Sequence, residues 1–257
     1  MGVPRLFKII LDKFPESHAK VEGQPIDYLF IDFNSIIYEA YEKIKAQALV
    51  DKKDLSKSSK ATIERKIISK VLEITEEMIT KYVNPLKMVY IALDGPPPRG
   101  KMTQQRDRRY KRLYENFIQD RVYQKYDLEP IPEPWSTSYI TPGTTFMLLM
   151  SQALNQAILR GRFPRNIEYV LSDASVPGEG EHKFLKFIDQ LPPSSICIYS
   201  NDGDVIMLIN RFTQHKSYIL TKPKDTSRIV QKNYQNEKYM YLVVDGLTPG
   251  LVKNFSK

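Results

Sequence analysis

The sequence has 257 residues, of which 42% are hydrophobic and 26% are charged, a balance typical of a globular protein with one sizeable core. Its net charge of +8 and isoelectric point near 9.3 favour a polyanionic partner. The single cysteine, Cys197, excludes an internal disulfide, and the few scattered histidines argue against a Cys/His zinc site. No apolar stretch approaches the roughly 20 residues that cross a bilayer, and the N-terminus lacks an apolar signal core, so we expect no membrane span and no secretion signal.

Short segments rich in β-branched and aromatic residues have the pattern of buried parallel strands. They span residues 28–31, 88–93, 167–171, 196–199 and 239–244. Between them lie stretches with apolar residues at helical spacing, including 62–82 and 146–159. Because strands alternate with helices, the sequence predicts an α/β fold with a mostly parallel central sheet flanked by helices.

An aspartate follows each predicted strand, either at once or within a few residues. These aspartates are Asp32, Asp94, Asp173, Asp202 and Asp245. In a parallel sheet the ligand site is the crevice beyond the carboxyl ends of the strands, so we expect the aspartates to gather there. For any one of them, a turn former or a helix N-cap is an equally good interpretation.

Two pairs of carboxylates each straddle a glycine, which allows both members of a pair to point into one small volume. Without cations such groups repel one another, whereas Mg²⁺ binds through a few carboxylates and substrate phosphates. Two ions roughly 4 Å apart can activate water against a phosphodiester. We therefore predict a magnesium site, with two ions and with Mn²⁺ as a substitute, built from Asp32, Asp94, Glu179, Glu181, Asp202 and Asp204. The alternative is that Glu179 and Glu181 are solvated loop residues and that Asp202 caps a helix beginning near Val205. His182 could serve as a ligand or a base, but we favour a hydrogen-bonding role beside the ligands.

A cationic helix is predicted directly after Asp94. The prolines at 96–98 suit a helix entry, so we expect the helix to begin near Gly100. One of its faces carries Lys101, Gln105, Arg108, Arg109 and Arg112. Because its first turn follows a strand-ending aspartate, we expect it beside the metal cluster, where it can receive a terminal phosphate. The alternative is a solvated helix face.

Several stretches together resemble the N-terminal nuclease region of Xrn-type 5′→3′ exoribonucleases, which is related to flap endonucleases. They include Val-Pro-Gly-Glu-Gly-Glu-His-Lys at 176–183 and Lys-Met-Thr-Gln-Gln-Arg-Asp-Arg-Arg at 101–109. In family order, the matching stretches are 1–7, 30–37, 92–95 with 99–109, 140–147, 176–183 and 202–208. The resemblance implies a PIN/flap-nuclease-like fold, with residues 1–257 as a single nuclease domain. It also implies an enzyme that degrades decapped or cleaved, 5′-monophosphorylated RNA to nucleoside monophosphates.

The resemblance also assigns roles to individual residues. It implies that Asp32, Asp94, Glu179, Glu181, Asp202 and Asp204 are the catalytic and metal-binding carboxylates. It implies that Lys101, Gln105, Arg108 and Arg109 form a pocket for the 5′-monophosphate of RNA, which would exclude a capped end. Tyr38 stands where the family usually has a histidine that stacks on the first base, and a tyrosine ring can still stack.

The sequence departs from the family pattern in length as well. The family takes a seventh acidic ligand from an Asn-Asp-Phe segment that this sequence does not include. Two interpretations stay open: a domain that lacks the C-terminal part of the family's catalytic region, or a small relative whose active site is completed by a further chain. Asp245 is not at that motif, and we interpret it as a turn residue. The stretch 110–135 is shorter than the family pattern predicts.

Two other functions fit parts of this pattern. A structure-specific 5′ flap endonuclease would share the carboxylates but would lack the basic stripe. A non-catalytic binder of 5′-phosphorylated RNA ends would keep the phosphate pocket without turnover. We expect single-stranded RNA as substrate, decapping or RNA-decay proteins as partners, no membrane contact and, since no nuclear basic cluster stands out, a cytoplasmic location.

Overall fold

The computed structural model describes residues 9–10, 13–14, 17–52, 55–127, 135–223, 231, 233–234, 236–245 and 247, with the side chains of residues 56, 108, 109 and 112 left out. Within these ranges seven strands form one sheet. They are β1 (His18–Ala19), β2 (Tyr28–Asp32), β3 (Met88–Ala92), β4 (Glu168–Ser172), β5 (Ser195–Tyr199), β6 (Lys216–Thr221) and β7 (Met240–Val243). Their order across the sheet is β1-β7-β6-β5-β2-β3-β4.

The strand directions confirm a mostly parallel sheet. Strands β2 to β6 pair in parallel, with β2 between β3 and β5. The prediction that 239–244 is another parallel strand is wrong, because β7 runs antiparallel to both β6 and β1. An apolar run specifies burial but carries no information on direction. Consequently Asp245, just after β7, lies at the other end of the parallel strands, away from their carboxyl ends. There its Oδ1 accepts a hydrogen bond from the Ser217 amide at 2.7 Å.

Helices connect the parallel strands. They are α1 (Asn34–Val50), α2 (Lys60–Glu77), α3 (Arg99–Lys125), α4 (Thr145–Leu159), α5 (Gly180–Ile188) and α6 (Asp204–Ile209). The predicted helix over 62–82 is confirmed as α2 followed by a π-helical turn at Met78–Val83, and short 3₁₀ turns occupy Leu55–Lys57 and Thr137–Tyr139. None of the described helices combines the length and the apolar character of a membrane span.

Side chains of the central strands alternate between two apolar layers, one on each face of the sheet. In β2, Leu29 and Ile31 pack in one layer and Phe30 in the other. The first layer is covered by α1, α2 and α4, and the second by α5 and α6. By contrast, every described side chain of α3 is at least partly exposed. The two apolar layers pack against the central strands, whereas the start of α3 is free of both layers and lies at the crevice beyond the strand ends.

Candidate metal and nucleic-acid site

A cleft of about 690 Å³ lies beyond the carboxyl ends of the central parallel strands. One wall carries Asp32, Asp94, Glu179, Glu181 and Asp202. The first turns of α1 and α3 contribute Tyr38, Lys101 and Gln105, and residues 137–142 include further lining residues. The predicted convergence at this edge of the sheet is therefore observed for five of the six predicted carboxylates.

Asp32 is the last residue of β2 and lies at the centre of the carboxylate cluster. Burial, followed by the negative charges of Asp94 and Glu181, raises the pKa of Asp32 to about 8. The Ser200 hydroxyl, which donates to Asp32 Oδ2 at 3.1 Å, acts in the opposite direction. In the ligand-free protein Asp32 therefore resists ionisation near neutral pH unless a cation approaches.

Asp94 follows β3 and is held by two neighbouring segments. Asn34 Nδ2 donates to Asp94 Oδ2 at 2.9 Å, and the Gly180 amide donates to Asp94 Oδ1 at 2.8 Å. Burial raises the pKa of Asp94, with a further contribution from Glu179, although the Gly180 hydrogen bond opposes the rise. These hydrogen bonds fix the orientation of the carboxylate from both sides.

Glu179 and Glu181 lie at the start of α5, on either side of Gly180. A methyl group on Gly180 would lie 2.9 Å from Asp32 Oδ1 and 3.1 Å from the Ala92 carbonyl oxygen, so only glycine fits here. This close approach brings the glutamate pair next to the strand-ending aspartates. Burial, followed by the charge of Asp202, raises the pKa of Glu181 to about 7.

One compact group of ligand atoms comes from this same turn. Oxygens of Glu179 and Glu181 and a ring nitrogen of His182 all lie within 4.8 Å of one another. His182 Nδ1 is 3.9 Å from Glu181 Oε1, and the imidazole is largely exposed. The histidine thus lies beside the carboxylates, close enough to join them as a ligand, and its predicted hydrogen-bonding role stays a prediction.

The second glycine-separated pair, Asp202 and Asp204, lies at the start of α6. Asp202 lines the cleft, and its Oδ1 also accepts a hydrogen bond from the Asp204 amide at 3.1 Å. Asp202 therefore faces the cleft, while the N-cap position of α6 is taken by Gly203 and not, as the alternative interpretation required, by Asp202. Asp204 is the first residue of α6 and does not line the cleft. Asp173, the remaining strand-ending aspartate at this edge, accepts hydrogen bonds from the Ser175 amide and hydroxyl within a local turn.

The basic helix begins at Arg99, as predicted, and its first turns face the carboxylates. Lys101 Nζ lies 3.0 Å from Glu179 Oε2, and Gln105 lines the same cleft. Tyr38 also lines the cleft, with 45% of its surface exposed. The side chains of Arg108 and Arg109 lie outside the described part of the structure. Their predicted place in a phosphate pocket stays a prediction.

Sequence reasoning did not single out the residues that support the carboxylates. Asn34 and Ser200 hold Asp94 and Asp32, and Lys183 lies behind the cluster. Asn34 and Ser200 each lie within two residues of a predicted ligand, so proximity to a strand end is the signal that pointed to them. Lys183 also lies two residues from a predicted ligand, Glu181, but the local sequence does not show that this lysine is buried.

The donor set fits a hard divalent cation. Carboxylate oxygens are the ligands that Mg²⁺ and Mn²⁺ prefer, and this cleft concentrates them on one wall. Burial first, and then repulsion between neighbouring carboxylates, raise the pKa values of Asp32 and Glu181, so their negative charges are poorly compensated in the ligand-free protein. A divalent ion would relieve that repulsion.

Comparison with known proteins identifies the family to which this sequence is similar. Residues 1–223 match the family described as XRN 5'-3' exonuclease N-terminus. The chain is 30% identical over 223 residues to 5'-3' exoribonuclease 1 of Saccharomyces cerevisiae, a match that covers 81% of this chain and 14% of the yeast protein. It is 31% identical over 254 residues to 5'-3' exoribonuclease 2 of Schizosaccharomyces pombe, covering 81% of this chain and 24% of that protein.

The chain therefore spans about a quarter or less of the length of these relatives. The family match nevertheless extends over most of the present sequence and includes every cleft residue described above. The protein belongs to the XRN 5'-3' exonuclease N-terminus family.

Proposed function

We propose that this chain is the nuclease domain of a metal-dependent 5′→3′ exoribonuclease that acts on RNA with a 5′-monophosphate and releases nucleoside monophosphates. The observation that carries the proposal is the cleft itself, in which five carboxylates face a lysine and a glutamine from the start of α3. The relatives named above are exoribonucleases, which supports RNA as the substrate class. We take residues 1–257 as one domain of this enzyme.

In this proposal the carboxylate wall binds Mg²⁺, as two ions, with Mn²⁺ as a substitute. Bound ions would supply a water of lowered pKa and stabilise negative charge on the phosphate. Asp32, Asp94, Glu179, Glu181 and Asp202 are the proposed ligands, because they share the cleft. Asp204 is the sixth proposed ligand; it is not among the residues that line the cleft, but it is adjacent to Asp202, which does line it.

Next to the carboxylates, Lys101 and Gln105 receive the terminal phosphate, together with Arg108 and Arg109. Lysine offers a point charge and arginine offers paired donors, and both suit a phosphate. Tyr38, exposed in the same cleft, stacks on the first base. A terminal phosphate held a short distance from the ions places the adjacent phosphodiester at the carboxylates, which accounts for removal of one nucleotide at a time.

The direct test uses matched RNAs that carry a 5′-monophosphate, a 5′-triphosphate or a cap. We expect Mg²⁺-dependent release of mononucleotides from the monophosphorylated RNA alone. Asp94→Asn should abolish release, whereas Asp245→Asn, at the opposite edge of the sheet, should leave it intact. Equal degradation of all three RNAs would contradict the phosphate pocket.

A non-catalytic RNA-end binder is the second candidate. It is favoured by one observation, which is that Asp204, one of the six predicted ligands, is not among the residues that line the cleft. It predicts that the unaltered protein binds 5′-monophosphorylated RNA but releases no nucleotide at any Mg²⁺ or Mn²⁺ concentration. Release by the unaltered protein and none by Asp94→Asn would eliminate it.

A further inference from the structure

Lys183 is a buried lysine directly behind the carboxylate wall. It lies in the first turn of α5 and is only 9% exposed. Its Nζ donates to the Leu93 carbonyl oxygen at 2.6 Å and to the Asp173 carbonyl oxygen at 2.8 Å. A buried ammonium with two carbonyl acceptors is a firm connection, since hydrogen bonds from a charged donor are about twice as strong as neutral ones.

The two acceptors are the carbonyls that follow two adjacent parallel strands. Leu93 immediately precedes Asp94, and Asp173 opens the segment that leads to Glu179. Lys183 thus joins the end of β3, the end of β4 and the start of α5 at one atom. Movement of any of these three segments would change the separation between Asp94 and the glutamate pair.

Backbone contacts make this junction tight. The Gly95 amide donates to the Gly178 carbonyl at 2.9 Å, and the Gly178 amide donates to the Pro96 carbonyl at 3.1 Å. A methyl group on Gly95 would lie 1.7 Å from the Val176 carbonyl oxygen, so the two chains touch through their backbones. Lys183 is the charged side chain that ties this pair of segments to α5.

We propose that Lys183 is a positioning residue for the metal site, holding Asp94 and the Glu179–Glu181 turn at the separation that a divalent ion requires. The inference rests on the proposed metal-dependent function. Residues that orient metal ligands from behind typically change metal affinity about 10- to 100-fold when they are replaced. Lys183 would act in this way through the backbone rather than through the carboxylates.

A purely electrostatic role makes the opposite prediction, which allows a decisive test. If the ammonium acted only as a positive charge near the cluster, its removal would leave the carboxylates more negative, and a divalent cation would bind more tightly. If it acts by positioning, its removal lets the ligands drift, and the cation binds more weakly. The sign of the change in affinity therefore separates the two roles.

The experiment measures Mn²⁺ binding by calorimetry, with no RNA present, for the full chain and three variants. Lys183→Met removes the ammonium and keeps the length of the side chain. Lys183→Arg keeps the positive charge but replaces the compact ammonium with a planar group. Lys186→Met, on the exposed side of the same helix, removes an equal charge as the matched control.

We expect Lys183→Met to raise the dissociation constant for Mn²⁺ by about tenfold or more. Lys183→Arg should also weaken binding, although its charge is retained, and Lys186→Met should bind as the unaltered protein does. Tighter binding in Lys183→Met, or a lower melting temperature with unchanged Mn²⁺ affinity, would overturn the inference. If Lys183→Met does not fold, Lys183→Arg decides alone, since unaltered affinity in that variant contradicts positioning.

The same titration distinguishes failure of this inference from failure of the proposed function. No Mn²⁺ binding by the unaltered protein would overturn the metal-dependent function and the role of Lys183 with it. Normal binding by the unaltered protein and by all three variants would overturn the role of Lys183 alone.

Discussion

Lys101 Nζ and Glu179 Oε2 form an ion pair of 3.0 Å across the cleft, so the proposed phosphate-binding lysine contacts a proposed metal ligand. Both side chains are mostly shielded, with 28% and 20% of their surfaces exposed. The pair links the two walls before any ligand binds. In the proposed function, a cation would compete with Lys101 for Glu179 and would free Lys101 for a phosphate. We therefore expect metal and 5′-phosphate to favour each other's binding.

Lys101→Met should weaken binding of 5′-monophosphorylated RNA. A hydrogen bond to a charged group contributes about 1.5–3 kcal/mol, which corresponds to a rise in KM of roughly 10- to 100-fold. RNA with a 5′-hydroxyl should be affected far less, so selectivity between the two ends should collapse. Steady-state kinetics on both RNAs measures this.

Lys111→Met is the matched control for Lys101, because Lys111 lies on the same helix with its side chain 77% exposed. It removes the same charge from α3 without altering the cleft. An equal loss of selectivity in both variants would mean that the general charge of the helix, and not the Lys101 contact, recognises the phosphate.

The stability of the metal-free protein should fall as pH rises from about 4 to 8. The pKa of Asp32 is raised to about 8 and that of Glu181 to about 7, so the folded state holds protons that the unfolded chain has already released. Unfolding is then favoured as pH increases through this window. Carboxylates with lowered pKa values, such as Asp27 and Glu77, act in the opposite direction but only at more acidic pH.

Thermal melts at pH 5.5 and 8.0, with and without Mg²⁺, measure this dependence. We expect Mg²⁺ to raise the melting temperature at pH 8.0 much more than at pH 5.5, because cation binding displaces those protons. Asp32→Asn should make the metal-free protein less sensitive to pH. If the metal-free protein instead becomes more stable between pH 5.5 and 8.0, the pKa values of Asp32 and Glu181 are not raised in the folded state.

Gly180→Ala should damage the metal site while a comparable change nearby does not. The added methyl group would meet Asp32 Oδ1 at 2.9 Å and the Ala92 carbonyl at 3.1 Å, which forces α5 away from the strand ends. We expect Mn²⁺ affinity to fall about tenfold or more, as for other changes that misplace ligands. Isothermal titration of the folded variant gives the result.

Gly100→Ala provides the comparison, since a methyl group there meets nothing within 4 Å. It lies in the first turn of α3, where alanine is favoured over glycine by up to about 1 kcal/mol. Its Mn²⁺ affinity should match that of the unaltered protein. Equal affinity in both glycine variants would show that the close approach at Gly180 is not needed for ion binding.

Tyr38→Ala should weaken RNA binding without changing the fold. The ring is 45% exposed in the cleft, so little apolar burial is lost. Stacking on an aromatic side chain is worth about 1–3 kcal/mol per base, and the variant should raise KM accordingly. Tyr38→Phe keeps the ring and should retain near-normal KM. If Tyr38→Phe is as impaired as Tyr38→Ala, the hydroxyl rather than the ring makes the contact.

Local sequence was sufficient to predict most strands of the sheet and the presence of acidic and basic residues at the site. Strands β2 to β5 are apolar runs that end at polar turns, and both features depend only on neighbouring residues. The same is true of the helix that begins at Arg99 and of the strand-ending aspartates Asp32 and Asp94. The two-residue strand β1, the strand β6 and the helix α1 were not predicted, because they are stabilised largely by their neighbours in the sheet and core.

Only the tertiary structure decided which acidic residues share a volume. The sequence marked Asp202 and Asp245 as strand-ending aspartates and Asp204 as the partner of Asp202 in a glycine-separated pair. Asp202 lines the cleft, Asp204 begins α6 and is not among the lining residues, and Asp245 follows an antiparallel strand at the opposite end of the sheet. Strand direction and helix orientation separate them, and both depend on contacts between residues far apart in the chain. The Lys101–Glu179 pair and the burial of Lys183 arise in the same way, because each joins segments that become neighbours only when the sheet has formed.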